Sequence, residues 1–270
     1  MTEESPTQTS DNRCRAEETL EAIRASHPSL LNEIRLAAGF LTVIPIGTRS
    51  GSVDELARSM GWFPLIGFTL GAVLAGTDYL LAFIFPSMLR SLLIVLALAG
   101  VTGAVHIDGL ADTADALGAG CDRDRALEIL RDSRIGTFGA AAIFFVLALK
   151  TAALTSAVHS RLVALYLSPG LARWAMVAVP YKIAYLRERG AGSALLGVHA
   201  EHNLRIACVV TLLACVLAGT APAIRAIIVA AFLSWILRAF YVRWLGGVTG
   251  DLIGSAGEIV EAAVMIALTC

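Results

Sequence analysis

Long stretches without a charged side chain recur along this chain, and they set the first limit on its fold. Ile206–Ile224 is 19 residues long and contains no Asp, Glu, Lys or Arg, and Trp62–Thr77 and Ser91–Val105 are also uncharged. A helix needs about 20 mostly apolar residues to cross the hydrocarbon core of a bilayer. With a mean hydropathy of +0.72, the sequence predicts an all-α, polytopic integral membrane protein with about six or seven transmembrane helices.

The charged residues are concentrated in two parts of the chain. Residues 1–35 hold 11 of the 43 charged residues and residues 106–134 hold another 11, which leaves 21 for the other 206 positions. A water-soluble domain averages about 25% charged residues, so the rest of the chain is too apolar for one. We expect residues 1–34 to be a polar, partly disordered cytosolic extension and residues 35–270 to be a membrane-embedded domain. The formal net charge of −1 gives no basic excess for binding nucleic acid.

The most informative segment is the acidic stretch that follows Ser91–Val105. Asp108, Asp112 and Asp115 are spaced i, i+4 and i+7, so a helix carries all three on one face. Neighbouring carboxylates repel one another unless a cation binds them or some stay protonated. Hard oxygen ligands suit Mg²⁺ or Mn²⁺, which also bridge to substrate phosphates. A solvated acidic face is the alternative, but ionisable groups at membrane depth favour a function. We predict that these aspartates bind a divalent metal ion together with phosphate.

A basic stretch follows the acidic one. The apolar positions within Arg123–Arg134 are typical of an amphipathic helix at the membrane interface. Arg131 and Arg134 are three residues apart and are expected to share a face of that helix, and guanidinium groups bind phosphate with two parallel hydrogen bonds. Gly136 and Gly139 then allow a ligand to approach the backbone where the next helix begins. The alternatives for the arginines are ion pairs with neighbouring acidic residues or contacts with lipid headgroups.

Charged residues inside the later apolar stretches are further candidates. Lys150 and Arg173 either face a polar cavity or extend their charges to the membrane surface. Glu258 and Glu261 are three residues apart, so they share a helix face. Nothing in the sequence alone decides what these four side chains contact.

Two candidates are defined by their position beside a turn or beside the acidic stretch. Asp251 lies in the Gly-rich stretch 246–254, close to the expected start of a helix, where it is well placed to reach an ion or a hydroxyl. His106 directly precedes the aspartates, and its imidazole either contacts substrate or makes a structural hydrogen bond.

Four segments of the chain, taken together, match the pattern of a known family. They are Phe40–Pro45, His106–Asp115, Arg131–Gly139 and Gly246–Asp251. The second and third are highly specific in their order and spacing, and from Ala38 to the C-terminus the chain resembles the cobalamin synthase family, the adenosylcobinamide-GDP ribazoletransferases. Residues 1–34 have no counterpart in the family pattern.

The resemblance implies an integral inner-membrane enzyme of prokaryotes that depends on Mg²⁺ and acts late in the assembly of vitamin B12. Such an enzyme joins adenosylcobinamide-GDP to α-ribazole, or to α-ribazole 5′-phosphate, giving adenosylcobalamin or its 5′-phosphate and GMP. The reacting step is attack by a ribose hydroxyl on the cobinamide-linked phosphate. Chemistry at phosphorus depends more on charge neutralisation and positioning than on covalent help.

This chemistry assigns the candidate residues to metal binding, proton transfer and substrate binding. The predicted metal ligands are Asp108, Asp112 and Asp115, and the predicted proton acceptor is Asp115 or Asp251. The predicted substrate-binding residues are His106, Arg131, Arg134, Lys150 and Arg173. The metal ligands hold one or two Mg²⁺ on the diphosphate. One carboxylate accepts the hydroxyl proton, and the two arginines of the basic stretch steady phosphate oxygens and the departing GMP.

Two other functions are compatible with the aspartate cluster. An ion-coupled membrane transporter would use it as a cation or proton relay. A transporter is expected to place acidic residues at mid-membrane on several helices, whereas here they lie in one segment beside arginines. A lipid enzyme of the CDP-alcohol phosphotransferase type shares the Asp108-Gly109 start of its motif, but the later spacing differs.

The arginines of the basic stretch also predict an orientation. Cytoplasmic loops of membrane proteins are enriched in Lys and Arg, so we expect the active segment to face the cytoplasm of a prokaryotic inner membrane that the chain crosses several times. The expected partners are the lipid bilayer and the two substrates, with no nucleic acid. A homo-oligomer is compatible with the sequence, which does not decide the oligomeric state.

Overall fold

Helices form the framework of the protein. A computed structural model describes residues 29–45, 53–132, 134–187 and 199–269. Its helices are α1 (Leu30–Leu41), α2 (Val53–Ser59), α3 (Phe63–Leu81), α4 (Ser87–Val101), α5 (Val105–Gly118), α6 (Arg123–Ile129), α7 (Thr137–Ser156), α8 (Arg161–Ala178), α9 (Ala200–Leu217), α10 (Thr220–Leu245) and α11 (Gly250–Ala267). No β-strand occurs in these described ranges, which confirms the all-α prediction. Of the predicted extension 1–34, positions 1–28 lie outside the described residues.

Four helical segments are long and apolar enough to cross a membrane. They are Glu55–Leu81, which runs from α2 into α3, together with α7, α9 and α10. α4 and α5 pass the same test as a pair that bends by 91°, so the described residues supply up to five spans. A multi-pass membrane protein is therefore supported, but the predicted six or seven spans are not confirmed. α8 and α11 are each 18 residues long, yet they carry charged side chains that the bundle buries.

α11 is the central helix of the bundle. It packs against α5, α7, α8 and α10, and nearly every residue from Leu252 to Met265 is buried. Small residues allow these close contacts. A Cβ at Gly254 would lie 3.3 Å from the Cα of His106 in α5, and one at Gly257 would lie 3.2 Å from the side chain of Met176 in α8. The N-terminus of α11 therefore lies beside α5.

A sharp turn between α4 and α5 sets the direction of α5. Gly103 and Ala104 have φ values of 62° and 56°, a left-handed conformation that glycine adopts freely and alanine only with strain. The N–H of Val43 donates to the carbonyl of Val101 at 2.8 Å, which ties the end of α1 to the end of α4. Because of this turn, α5 runs at about a right angle to α4 and lies against α7 and α11.

Candidate active site

α5 has one face packed into the bundle and one face left open. The buried positions on the inner face include His106, Gly109, Leu110 and Thr113. The outer face carries the three aspartates: Asp108 is exposed, whereas Asp112 and Asp115 are partly buried. The i, i+4, i+7 spacing thus produces the acidic helix face that the sequence predicts.

Gly109 brings this acidic face to the start of α11. A Cβ at Gly109 would lie 2.7 Å from the carbonyl oxygen of Asp251 and 2.9 Å from its Cα, so only glycine permits so close a contact. Thr249 is the N-cap of α11, and its hydroxyl accepts from the N–H of Leu252 at 3.3 Å. The cap and the glycine together fix Asp251 next to Asp108.

Asp112 lies at the centre of a group of charges. Its carboxylate is repelled by Asp108, Asp251 and Asp115, in decreasing order of strength, and is attracted by Arg187. We call Asp108, Asp112, Asp251 and Arg187 the acidic mouth. It sets three carboxylates against one guanidinium, an excess of negative charge that favours the binding of cations.

Arg187 is the member of the acidic mouth that sequence reasoning missed. Its Nη2 donates to Asp251 at 2.5 Å and to the carbonyl of Leu130 at 2.6 Å. An isolated bridge between Tyr185 and Val248 holds the preceding segment, and burial raises the pKa of the Tyr185 phenol. The sequence offered one signal, the cluster of charges around position 187, but no spacing relates that cluster to the aspartates.

Asp115 makes contacts different from those of the other two aspartates. Its two carboxylate oxygens accept from the N–H groups of Gly136 at 2.7 Å and Gly139 at 2.8 Å. A Cβ at either glycine would collide with this carboxylate. Asp115 therefore caps the N-terminus of α7, where a negative charge is favourable, and it joins α7 to α5. Gly136 and Gly139 were predicted to let a ligand approach the backbone, and in the structure it is the Asp115 side chain that approaches it.

Arg131 and Arg134 do not share a helix face, which corrects the prediction. α6 ends at Ile129, so both arginines lie in the connection between α6 and α7, and both are exposed. Arg134 donates to Asp132 through Nε at 3.0 Å and through Nη2 at 2.6 Å. These hydrogen bonds lower the pKa of Asp132 to about 2. The ion pair that the sequence left open as an alternative is thus present for Arg134.

Lys150 and Arg173 lie inside the bundle in ion pairs with the two glutamates of α11. Lys150 Nζ contacts Glu258 at 2.5 Å and Glu261 at 2.6 Å, and Arg173 Nη1 donates to the other oxygen of Glu261. All four side chains are at most 6% exposed. We call these residues the buried ion network. Among the described residues their charged groups form ion pairs inside the bundle, an arrangement that neither predicted alternative included.

His106 lies against the buried ion network and away from the acidic mouth. Its side chain interacts electrostatically with Arg173, Glu261 and Lys150. Within the described residues its Nδ1 has no hydrogen-bond partner. The substrate contact and the structural hydrogen bond both remain predictions for this residue. His106 is buried on the inner face of α5, whereas the aspartates lie on its outer face.

The acidic mouth has the donor chemistry that Mg²⁺ requires. No group of three His, Cys, Asp or Glu side chains within the described ranges is arranged to hold a metal ion by itself. Proteins usually bind Mg²⁺ through one or two carboxylates, while waters and substrate phosphates complete the octahedron. Asp108 and Asp112, one helical turn apart on the outer face of α5, supply that number. The residues therefore fit Mg²⁺ that binds together with a phosphate-bearing substrate.

Comparisons with known proteins cover nearly the whole described chain. The model of a family described as cobalamin-5-phosphate synthase matches residues 33–269. The adenosylcobinamide-GDP ribazoletransferase of Desulforamulus reducens is 34% identical over 237 residues, which are 87% of this chain and 95% of the relative. Those of Geotalea daltonii (37% identity; 86% and 95%) and Syntrophobacter fumaroxidans (38% identity; 87% and 96%) are similar to a comparable extent. No solved structure gives a significant match to the chain.

Proposed function

The chain belongs to the cobalamin-5-phosphate synthase family, and we propose on this basis that it joins adenosylcobinamide-GDP to α-ribazole, or to α-ribazole 5′-phosphate, with release of GMP. It is a membrane-embedded transferase of cobalamin biosynthesis. The observation that carries the proposed reaction is the acidic mouth, where three carboxylates and a guanidinium meet beside the N-terminus of α11. Such a site suits a diphosphate ester together with a divalent cation.

Mg²⁺ is part of the proposal because a diphosphate would add negative charge to an acidic mouth that already has an excess. Asp108 and Asp112 would hold the ion. Each carboxylate oxygen has two acceptor positions, so Asp115 can keep its hydrogen bonds to α7 and still contribute to metal binding. When bound, Mg²⁺ neutralises charge on the phosphate oxygens.

Transfer requires one bond to form and one to break at the cobinamide-linked phosphorus. The ribose hydroxyl oxygen of the acceptor bonds to that phosphorus, the bond from phosphorus to GMP breaks, and its electron pair leaves with GMP. The hydroxyl proton passes to a carboxylate. Asp251 is better placed for this role than Asp115, because the hydrogen bonds to α7 leave each oxygen of Asp115 one acceptor position, which metal binding would use. A positioned general base contributes about 10²–10⁴ in rate.

The basic residues predicted to bind substrate divide into two groups. Arg131 and Arg134 are exposed, and we assign them to binding the phosphate oxygens of the donor substrate and the departing GMP. His106, Lys150 and Arg173 are buried. The contribution that we assign to Lys150 and Arg173 is indirect: their ion pairs hold α7 and α8 against α11 and thereby fix the start of α11 in the acidic mouth. For His106, the substrate contact stays a prediction.

We propose that the acidic mouth faces the cytoplasm of a prokaryotic inner membrane. Exposed arginines of α6 and of the connection to α7 lie on the same side of the bundle as the cap that Asp115 makes. The enrichment of Arg and Lys on cytoplasmic sides of membrane proteins supports this orientation, as does the expectation that the GDP-activated substrate is made in the cytoplasm.

An assay of the purified protein in detergent tests the proposal. With adenosylcobinamide-GDP, Mg²⁺ and either acceptor, we expect stoichiometric release of GMP and formation of the corrinoid product; chelation of the metal should stop both, and added Mg²⁺ should restore them. Comparing the two acceptors decides between α-ribazole and its 5′-phosphate. The absence of GMP with both acceptors would contradict the proposal. Turnover of a CDP-activated donor instead would indicate a CDP-alcohol phosphotransferase, and substrate flux in proteoliposomes without turnover would indicate a transporter.

A further inference from the structure

Arg187 occupies a position from which it can contact a phosphate in the acidic mouth. It follows the segment bridged to Val248, and its side chain reaches across to Asp251 and to the carbonyl of Leu130. Three parts of the chain thus meet at one guanidinium: the segment after α8, the end of α6 and the start of α11. The side chain is 25% exposed, so it is partly shielded from water and still accessible to a ligand.

The hydrogen bonds of Arg187 leave most of its donors available. Among the described residues, both of its contacts are made by Nη2. A guanidinium carries five N–H donors in a planar fork that matches two oxygens of a phosphate. Nη2 can therefore keep its bond to the Leu130 carbonyl while its other N–H, which now binds Asp251, joins the neighbouring Nε or Nη1 group in binding two phosphate oxygens.

The electrostatics of the acidic mouth favour Arg187 over the two exposed arginines. Arg187 is the cation that acts most strongly on Asp112 among the described residues, whereas Arg134 is 87% exposed and is paired with Asp132. Charged hydrogen bonds are worth more where water is partly excluded. A diphosphate held at Asp108 and Asp112 would therefore be screened less by water in its contact with Arg187 than in a contact with Arg134.

We propose that Arg187 is a substrate-contacting residue whose guanidinium exchanges its bond to Asp251 for the diphosphate of the donor substrate. In the structure, Asp251 accepts from the Nη2 N–H that the phosphate would take. Binding of the diphosphate displaces the Asp251 carboxylate, which becomes free to face the acceptor hydroxyl. This inference rests on the proposed function for the identity of the substrate, but the capture of a diphosphate by Arg187 does not depend on transfer to ribazole.

Inorganic pyrophosphate with Mg²⁺ is the probe that separates a phosphate contact from a structural role. In the Arg187→Gln variant we expect the inhibition constant of pyrophosphate and the KM for adenosylcobinamide-GDP to rise about 10- to 100-fold. Arg187→Lys, which keeps the charge but loses the fork, should recover part of this loss. Stabilisation by pyrophosphate in thermal unfolding gives a second readout that needs no turnover. Arg125→Gln is the matched control, because Arg125 is exposed and paired with Glu128.

The Asp251→Asn variant makes the test decisive. If Arg187 binds phosphate, removing the competing carboxylate should leave pyrophosphate binding unchanged or tighter, although transfer is lost. If Arg187 only positions Asp251, then Asp251→Asn and Arg187→Gln should have the same effect on transfer, and neither should weaken pyrophosphate; that result would overturn the proposal. A wild-type protein that binds pyrophosphate through Arg187 but releases no GMP would contradict the proposed function and leave this inference standing. Normal GMP release with unchanged constants in Arg187→Gln would refute this inference alone.

Discussion

The acidic mouth and the buried ion network each contain four charged side chains, and both draw residues from α11. In the network, Lys150 and Arg173 balance Glu258 and Glu261, and all four are nearly inaccessible to water. In the acidic mouth, Asp108, Asp112 and Asp251 face a single guanidinium, and Asp108 is exposed. The charges of the network balance one another without a ligand, whereas the acidic mouth has an excess of negative charge.

The difference follows from the energy of burying charge. An unpaired charge in an apolar interior costs several kcal/mol, whereas a pair with good hydrogen bonds costs far less. A third cluster has its excess charge nearer the surface: buried Asp78 accepts from Arg161 at 2.8 Å and 2.7 Å and from Arg90, whose side chain is 15% exposed. The balanced network thus holds α7 and α8 against α11, and the acidic mouth, with its excess of negative charge, is the place where a cationic ligand is favoured.

The largest effect on activity is expected from Asp112→Asn. This substitution removes a carboxylate from the centre of the acidic mouth while keeping its size, so the loss of cation binding should lower the rate of GMP release by about 10³-fold. Folding should be little affected, because the repulsion among the aspartates decreases. The measurement is GMP release at saturating Mg²⁺, with unfolding in detergent followed in parallel.

Asp124→Asn is the matched control for Asp112→Asn. Asp124 is an aspartate of α6 whose side chain is 90% exposed, so its neutralisation should leave GMP release unchanged. Near-normal turnover by Asp112→Asn would show that the acidic face of α5 does not carry the reaction, and the comparison between the two regions would then lose its functional meaning.

The largest effect on stability is expected from Glu261→Gln. This change leaves Lys150 and Arg173 with one glutamate between them in the interior, and breaking a buried pair typically costs about 3–5 kcal/mol. The free energy of unfolding in mixed detergent micelles measures the loss. Glu128→Gln, which breaks the exposed pair with Arg125, should cost at most about 1 kcal/mol.

A double variant tests whether charge balance is what matters in the buried ion network. Lys150→Met combined with Glu258→Gln removes one positive and one negative charge and leaves Arg173 bonded to Glu261. The double variant should be more stable than Lys150→Met alone, because no glutamate loses its partner without compensation. If the two losses simply add, the network is not a balanced unit.

A smaller effect is expected from Gly109→Ala, which acts on the geometry of the acidic mouth. The added Cβ would meet the backbone of Asp251, so α5 and the start of α11 must separate. Displacements of about 1 Å in an active site can cost about 10²-fold in rate, and we expect a 10- to 100-fold decrease in kcat. Gly100→Ala is the control, because a Cβ there has no neighbour within 4 Å. Equal kcat values for the two variants would contradict the role given to Gly109.

The sequence predicted those parts of the protein that depend on local spacing. The i, i+4, i+7 pattern places Asp108, Asp112 and Asp115 on one face of a helix whatever surrounds it, and the structure contains that face. The pairing of Lys150 with Glu258 joins residues 108 positions apart, and the contact between Arg187 and Asp251 joins residues 64 positions apart. Such pairs depend on how the helices pack, which hydrophobic periodicity does not encode.

The same limit explains the revised positions of the basic residues. α6 ends at Ile129, so Arg131 lies outside the predicted helix. The charge pattern continues past Ile129 and therefore did not predict where the helix ends. Lys150 and Arg173 were expected to reach water or a cavity. They pair with glutamates instead, because α11 places two carboxylates, one for each cation, at the same depth in the bundle.

The smallest effect is expected from Arg134→Gln, which tests an exposed arginine against the partly buried Arg187. Arg134 must leave Asp132 to bind a phosphate, and its side chain is 87% exposed, so water and salt screen whatever it gains. We expect the KM for the donor substrate to rise about twofold to fivefold with kcat unchanged, far less than for Arg187→Gln.

Because Arg134 lowers the pKa of Asp132 to about 2, both partners stay charged near neutral pH, and the effect should not vary with pH in that region. Added salt should reduce the difference between Arg134→Gln and wild type, while the effect of Arg187→Gln persists, because partial burial protects the latter contact from screening. A salt-independent loss of equal size at both positions would show that the two arginines bind phosphate in the same environment, which the difference in their exposure argues against.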